Sequence, residues 1–165
     1  VFDATLSTPE GDREWSVNVV DLPSDMEQVW LVIGFTGEAS PTGKMVAGVA
    51  QRLKNEPGLE AEMDAIARIT RAGLTALSAG NMEAVGIAMD ACHQKLRLIG
   101  VSSPSLEALV EAVEPHALGA KLTGAGGGGC MIALAREPQR VAEAIEIAGG
   151  RPMISKLGAP GVHLL

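Results

Sequence analysis

Lys121-Leu122-Thr123-Gly124-Ala125-Gly126-Gly127-Gly128-Gly129-Cys130 is the stretch on which the reading of this 165-residue chain turns. Five of the six residues from Gly124 to Gly129 are glycine, the residue that loses most conformational freedom on folding. A plain connector has no need of so many. Two roles fit the residues. One is a cradle whose backbone N–H groups turn inward on an anion or substrate, as in phosphate-binding loops. The other is a tight connector or a packing site between domains. No Gly-Lys-Ser/Thr closes the segment, so it is not a Walker A loop. Apolar sequence flanks it on both sides: Ala120 to Thr123 reads as a short strand and Cys130 to Ala135 as a buried one.

Upstream, the period changes to that of helices. Leu59, Met63, Ile66, Thr70, Leu74 and Leu77 recur at steps of three and four and predict a helix of about five turns. Asn81 caps a second, striped by Met82, Val85, Met89, Cys92, Leu96 and Ile99 and ended by Gly100. Ser103-Pro104 supplies an N-cap and a first-turn proline for a third, with Leu106, Val110 and Val113 as its apolar face. Residues 44–116 are therefore expected to be mostly helical. Before them, Trp15 to Val20 alternates like a half-buried strand. The continuous apolar run Val29 to Phe35 predicts a central strand buried on both faces. Thr36 to Gly43 reads as a loop opening a helix near Lys44, and Pro57-Gly58 breaks the chain. Beyond the glycines, a helix is expected over Pro138 to Ala148, with closing strands at Met153-Ile154 and Val162 to Leu165. Strands at both ends of a helical middle make the fold α+β, in two layers.

Composition narrows the function classes. Asp and Glu number 20 against 13 Lys and Arg, a net charge of −7, so no basic excess exists to neutralise nucleic-acid or membrane phosphates. With only Phe2, Trp15, Trp30 and Phe35 as aromatics, a base-stacking platform is not expected. Cys92 and Cys130 form no CxxC, which indicates neither a disulfide framework nor a zinc site. No apolar run approaches membrane-spanning length and no signal peptide is evident, so a soluble, cytoplasmic protein is expected. The chain opens at Val1 rather than Met and reads like the interior of a longer protein.

The remaining candidates are weaker. Gly37 to Lys44 has the look of a P-loop, yet five residues separate Gly37 from Gly43, and Met45 stands where a magnesium-binding hydroxyl belongs. It is not Walker A; a substrate-contacting loop stays open. His93 shares a helix face with Met89, Cys92 and Leu96, a setting more common for a packed or capping histidine than for a catalyst. His116 and His163 have no carboxylate or histidine spacing that would make a metal site, and no Ser–His–acid triad is evident.

The glycine segment resembles the third conserved motif of the GHMP small-molecule kinases, in the form used by mevalonate kinases. Phe35-Thr36-Gly37-Glu38-Ala39-Ser40-Pro41-Thr42-Gly43-Lys44-Met45-Val46-Ala47-Gly48-Val49 resembles the archaeal segment that follows that family's central strand. Met89 to Ser102, with His93 and Leu98-Ile99-Gly100-Val101-Ser102, is similar to its helix-to-loop stretch, and Gly161-Val162 fits its last strand. The segments occur in the family's order. Phe2-Asp3-Ala4-Thr5-Leu6-Ser7-Thr8 resembles the Asp-x-x-x-Ser-Thr segment whose aspartate is the family's catalytic acid/base, although Pro9-Glu10-Gly11 stands where an aromatic and glycines are usual.

The resemblance implies a ferredoxin-like two-layer sandwich over 15–165, preceded at 1–14 by a remnant of the N-terminal kinase domain or its linker. It implies Asp3 as catalytic base, Gly124, Ala125, Gly126, Gly127 and Gly128 close to substrate and phosphate, and Thr36 and Thr42 on the substrate-facing loop. The complete enzyme would use ATP and Mg²⁺ to convert mevalonate to 5-phosphomevalonate. The family's lysine-bearing first motif and Gly-Leu-Gly-Ser-Ser-type nucleotide loop do not occur in these 165 residues, so the chain alone is expected to be inactive. Its expected partners are mevalonate and ATP, with either a second copy, as a homodimer, or the missing N-terminal half. Another GHMP member (phosphomevalonate kinase, homoserine kinase, mevalonate decarboxylase) or a non-catalytic binding module of the same fold are the alternatives.

Overall fold

The computed structural model describes the backbone of residues 2–6, 13–17 and 20–158, and the side chains of 20–158. Along the chain run β1 (Phe2–Leu6), β2 (Arg13–Val17), β3 (Trp30–Phe35), α1 (Thr42–Asn55), α2 (Leu59–Ser78), α3 (Met82–Leu98), α4 (Pro104–Val113), β4 (Gly119–Thr123), β5 (Cys130–Ala135), α5 (Pro138–Ile147) and β6 (Arg151–Lys156). β1 and β2 form an antiparallel pair with Phe2 opposite Val17 and Leu6 opposite Arg13. The division drawn between residues 14 and 15 runs through β2. The strand expected at Val162 to Leu165 lies outside the described residues.

The other four strands make one antiparallel sheet in the order β4-β5-β3-β6. From β3 onward the succession is strand, helices, strand, strand, helix, strand, the split βαβ arrangement of ferredoxin-like folds. The expected α+β sandwich is the fold observed, enlarged by the helices inserted between β3 and β4. Local signals set the helix ends as the sequence indicates. Asn81 Oδ1 accepts the Ala84 N–H at 3.0 Å, and Ser103 Oγ accepts the Leu106 N–H at 3.4 Å. Gly100, at φ 79°, turns the chain out of α3.

Register decides which side chains form the core. Val32 and Gly34 of β3 stand opposite Ala133 and Met131 of β5, which in turn oppose Ala120 and Leu122 of β4. These residues point to one face, where they are buried against Leu106, Leu109 and Val113 of α4 and Val141 and Ile145 of α5. A Cβ on Gly34 would meet Ile145 Cδ1 at 3.1 Å and Met131 Sδ at 3.0 Å, so that position is held open for its neighbours.

The opposite face corrects one expectation: β3 is not buried on both sides. Leu31, Ile33 and Phe35 are only partly covered, and Met153, beside Ile33 on β6, is 60% exposed. Helices reach only one end of this face, where Leu31 and Leu134 pack with Met82, Val85 and Leu77.

The hairpin of α2 and α3 lies along the edge of β4, and two features make that possible. Gly86 in α3 and Gly119 in β4 bring backbone against backbone: a Cβ at Gly86 would fall 2.0 Å from the Leu118 carbonyl oxygen. Side chains of α3 then do what a neighbouring strand would do. Asp90 Oδ1 accepts the Ala120 N–H at 2.7 Å, and His93 Nδ1 accepts the Leu122 N–H at 3.3 Å. The sheet edge is thereby closed with its outward donors satisfied. Among the described residues, no helix is long and apolar enough to cross a membrane.

This packing predicts opposite effects for two glycine-to-alanine changes, to be read from urea denaturation. Gly86→Ala should destabilise the fold by about 2–4 kcal/mol, because helix and strand must separate to admit the methyl group. Gly48→Ala, on α1 with nothing within 4 Å of the added atom, should stabilise it by about 0.5–1 kcal/mol.

Candidate functional site

β3, β4 and β5 end together, with Phe35 and Thr123 both opposite Cys130, so three connections meet at one end of the sheet. These are the loop of residues 36–41 leading into α1, the glycine loop of 124–129, and the turn of 99–103 between α3 and α4. The glycine loop threads between the other two. Gly127 donates its N–H to the Val101 carbonyl at 2.8 Å, and Gly129 donates to that of Glu38 at 2.9 Å. Ser40 Oγ donates to the Gly126 carbonyl at 2.6 Å. Thr36 Oγ1 donates to the Gly129 carbonyl at 3.0 Å while accepting the Glu38 N–H at 3.2 Å. Ser105 Oγ ties Glu38 Oε2 to the start of α4 at 2.8 Å.

Glycine is required here for two separate reasons. Gly124, Gly126, Gly127, Gly128 and Gly129 all have positive φ, between 69° and 129°, where a side chain is strained. At Gly126 there is also no room, since a Cβ would lie 1.9 Å from the Val101 backbone oxygen, while at Gly127 it would press on the movable end of Met45, 2.6 Å from its Sδ. Gly124 differs: nothing lies within 4 Å of its would-be Cβ, and it is exposed. The packing role and the cradle role are thus divided within one loop. Among the described residues, the N–H groups of Gly124, Ala125, Gly126 and Gly128 have no hydrogen-bond acceptor, whereas those of Gly127 and Gly129 are used to hold the loop.

Two largely apolar hollows border the loop and share Gly124. One, of about 380 Å³, is lined by Met45, Val49, Leu53, Val101, Gly124 and Ala125. The other, of about 430 Å³, lies between α2 and α3 against β4, with Ile66, Ile69, Met89, Cys92 and Lys121 in its wall. Apolar walls next to unpaired backbone donors suit a small molecule with a hydrocarbon body and an anionic or strongly polar head.

The sequence candidates fall into distinct places. Gly124 to Gly128 and Thr36 are brought together, with the Thr36 hydroxyl occupied in bracing the loop. Thr42 is the exposed first residue of α1. Asp3 lies on β1 opposite Ser16, and its side chain is outside the described residues. His93 is the packed, capping residue its helix face suggested: burial pushes its pKa down, although Glu107 opposes that shift. Burial likewise pushes the Asp90 carboxyl up, even as the Ala120 N–H it accepts pulls the other way. Among the described residues, no three His, Cys, Asp or Glu side chains could hold a metal ion. Sequence reasoning missed Ser40, Val101 and Glu38 as the clamps on the glycine loop. The Ser40-Pro41 pair ahead of α1 is the only local hint of them.

Comparison with known proteins adds the family. Residues 74–152 match the model described as GHMP kinases C terminal. The chain is 39% identical over 142 residues to mevalonate kinase of Pyrococcus furiosus, covering 81% of this chain and 42% of that protein. It is 38% identical over 157 residues to mevalonate kinase of Thermococcus sibiricus, covering 90% and 45%. The chain spans less than half the length of these relatives. Among solved structures, L. major mevalonate kinase in complex with R-mevalonate superposes with a TM-score of 0.72 at 29% identity, over 85% of this chain and 42% of that one. Streptococcus pneumoniae phosphomevalonate kinase, at a TM-score of 0.73 and 20% identity over 92% of this chain and 45% of that one, shares the fold.

The divided loop can be tested by substitution and thermal denaturation. Gly126→Ala should cost about 3 kcal/mol or more, from a strained φ together with a clash against backbone. Gly124→Ala, which meets only the φ penalty, should cost about 1–2 kcal/mol.

Proposed function

The chain belongs to the GHMP kinases through its C-terminal domain, and from that premise we propose that it is the substrate-side part of an ATP-dependent mevalonate kinase, which forms 5-phosphomevalonate. The observation that carries the proposal is the glycine loop itself. It is clamped at Gly127 and Gly129, keeps four N–H donors unpaired at Gly124, Ala125, Gly126 and Gly128, and is flanked by apolar hollows. Mevalonate has a short hydrocarbon body with polar ends, which matches that combination. Similarity to archaeal mevalonate kinases supports the choice of substrate.

In this reading Asp3 accepts the proton of the substrate hydroxyl as that oxygen attacks the γ-phosphate of ATP. Phosphoryl transfer depends chiefly on positioning and charge stabilisation, so one carboxylate base suffices for the proton. The unpaired amides stabilise negative charge on the substrate or the transferring group, acting as fixed dipoles that need no reorganisation during the reaction. Thr36 holds the loop in shape rather than touching substrate, and Thr42 faces the open side. ATP supplies the phosphoryl group. Among the described residues no three His, Cys, Asp or Glu side chains lie together as a metal site, so in this reading the Mg²⁺ of the complete enzyme is held elsewhere. The proposed protein partner is an N-terminal half carrying the nucleotide loop, with self-association of this domain as the rival arrangement, and the proposed place of action is the cytoplasm.

A chimaera tests the proposal. Residues 1–165 would replace the matching part of Pyrococcus furiosus mevalonate kinase, and mevalonate-dependent ADP release would be followed. The chimaera should turn over, and Asp3→Asn should lower kcat by about 10²–10⁴-fold while shifting KM for mevalonate much less. A folded chimaera without mevalonate-dependent turnover, or one indifferent to Asp3→Asn, would contradict the assignment.

A further inference from the structure

His93 holds the edge of β4 as a neighbouring strand would, and it does so with a single lone pair. Its ring is only 2% exposed, and Nδ1 accepts the Leu122 N–H at 3.3 Å. An imidazole that accepts at Nδ1 is neutral, with its proton on Nε2. A second proton at Nδ1 would set N–H against N–H, so the charged ring cannot keep this bond. Asp90, one turn earlier, behaves differently. Its Oδ1 accepts the Ala120 N–H at 2.7 Å, and a carboxyl group retains an acceptor oxygen whether or not it is protonated. Of the two side chains that close the sheet edge, His93 alone loses its acceptor on taking up a proton.

The charged groups around the ring oppose one another. Glu107 of α4, with Oε1 3.3 Å from Nε2, favours a charged ring, as does Asp90 of α3. Arg97 of α3 and Lys121 of β4 disfavour it, and burial does so most of all, which holds the pKa below the ordinary histidine value. The Glu107 carboxylate is also shared, with Arg97 Nε 2.9 Å from its Oε2 and the Ser102 hydroxyl donating to its Oε1. Glu111 and Glu114, further along α4, line the hollow beside these groups. A ring so enclosed takes its proton only when strand and helix part, which makes protonation and release of the edge one event. The edge leads directly into the glycine loop, since Leu122 is followed by Thr123 and Gly124. Ser102, held by Glu107, adjoins Val101, whose carbonyl accepts the Gly127 N–H at 2.8 Å. The strand and the turn that hold the loop thus meet at His93.

We propose that His93 is an acid-sensitive latch: a proton taken up at Nδ1 breaks the bond to Leu122, frees β4 from α3 and loosens the glycine loop. The ring binds its proton more weakly in the closed fold than in the opened one. The latch is therefore fully closed above the ordinary histidine value of about 6.5. It weakens as the pH falls below that value toward the lower one of the folded state. The proton comes from solvent and returns to it, so the change is reversible. The latch itself uses no residue placed in contact with substrate, so it stands or falls separately from the kinase assignment.

The test is NMR of the 165-residue chain between pH 8 and pH 5. The His93 ring nitrogens would be followed together with amide hydrogen exchange at Leu122 and Gly127, each rate corrected for the pH dependence of exchange in a free peptide. His93 should titrate below the ordinary histidine value. Protection of both amides should fall by about tenfold or more between pH 7 and pH 5, as uptake of one proton on opening requires. His93→Gln supplies an acceptor oxygen that does not titrate, so protection at Leu122 and Gly127 should stay level across the same range. Glu107→Gln keeps His93 and removes the charge that favours its protonated form, so His93 should titrate lower still in that variant, a change that a merely structural role would not require. A His93 midpoint at or above the ordinary value, Gly127 protection that does not follow that midpoint, the same acid loss in folded His93→Gln, or an unmoved midpoint in Glu107→Gln would each overturn the proposal.

Discussion

Backbone meeting backbone, with no side chain between, is the constraint on which this structure depends. It occurs twice. At Gly86 and Gly119 a helix lies directly on the edge of a sheet. At Gly126 a loop lies directly on the Val101 carbonyl. Contact this close leaves donors and acceptors that must be paired locally, and the pairing residues define what surrounds them. Asp90 and His93 take up the edge amides of β4, while Ser40, Thr36 and Val101 take up the groups of the glycine loop. Removing the freedom to approach at either place would undo both the packing and the hydrogen bonds that follow from it.

The two contacts are linked through the turn after α3. Gly100 ends that helix, Val101 receives the Gly127 amide, and Ser102 and Ser103 lead into α4 by bonding Glu107 and capping the helix. Glu107 also pairs with Arg97 and stands beside His93. A single run of residues thus fixes the height of the glycine loop relative to α3, α4 and β4. The candidate site is rigid where it is clamped and open at Gly124, a division suited to a loop that must hold donors in place while admitting a ligand.

Much of this was legible in the sequence because it is local. The stripes of α2, α3 and α4 and the caps at Asn81 and Ser103-Pro104 depend on neighbours within one or two turns. The glycine run marks itself. What failed was the burial of Val29 to Phe35: an apolar run states that a strand is apolar, not which layer covers each face, and here helices cover one face and only one end of the other. The clamps on the glycine loop were equally hidden. Ser40 and Gly126 are 86 residues apart, Thr36 and Gly129 are 93 apart, and a hydroxyl in a loop carries no sign of so distant a carbonyl. His93 looked like a packed residue and is one, but its role as a substitute strand partner for Leu122 follows only from the placement of α3.

The central claim is that the glycine loop is built to present the amides of Gly124, Ala125, Gly126 and Gly128 to an anionic ligand while those of Gly127 and Gly129 hold it in place. The most direct measurement is a ¹H–¹⁵N amide titration of the 165-residue chain with pyrophosphate at constant ionic strength. The account predicts saturable shifts at Gly124, Ala125, Gly126 and Gly128 with little movement at Gly127 and Gly129. No shift at those four amides, or shifts of the same size across all six, would contradict it.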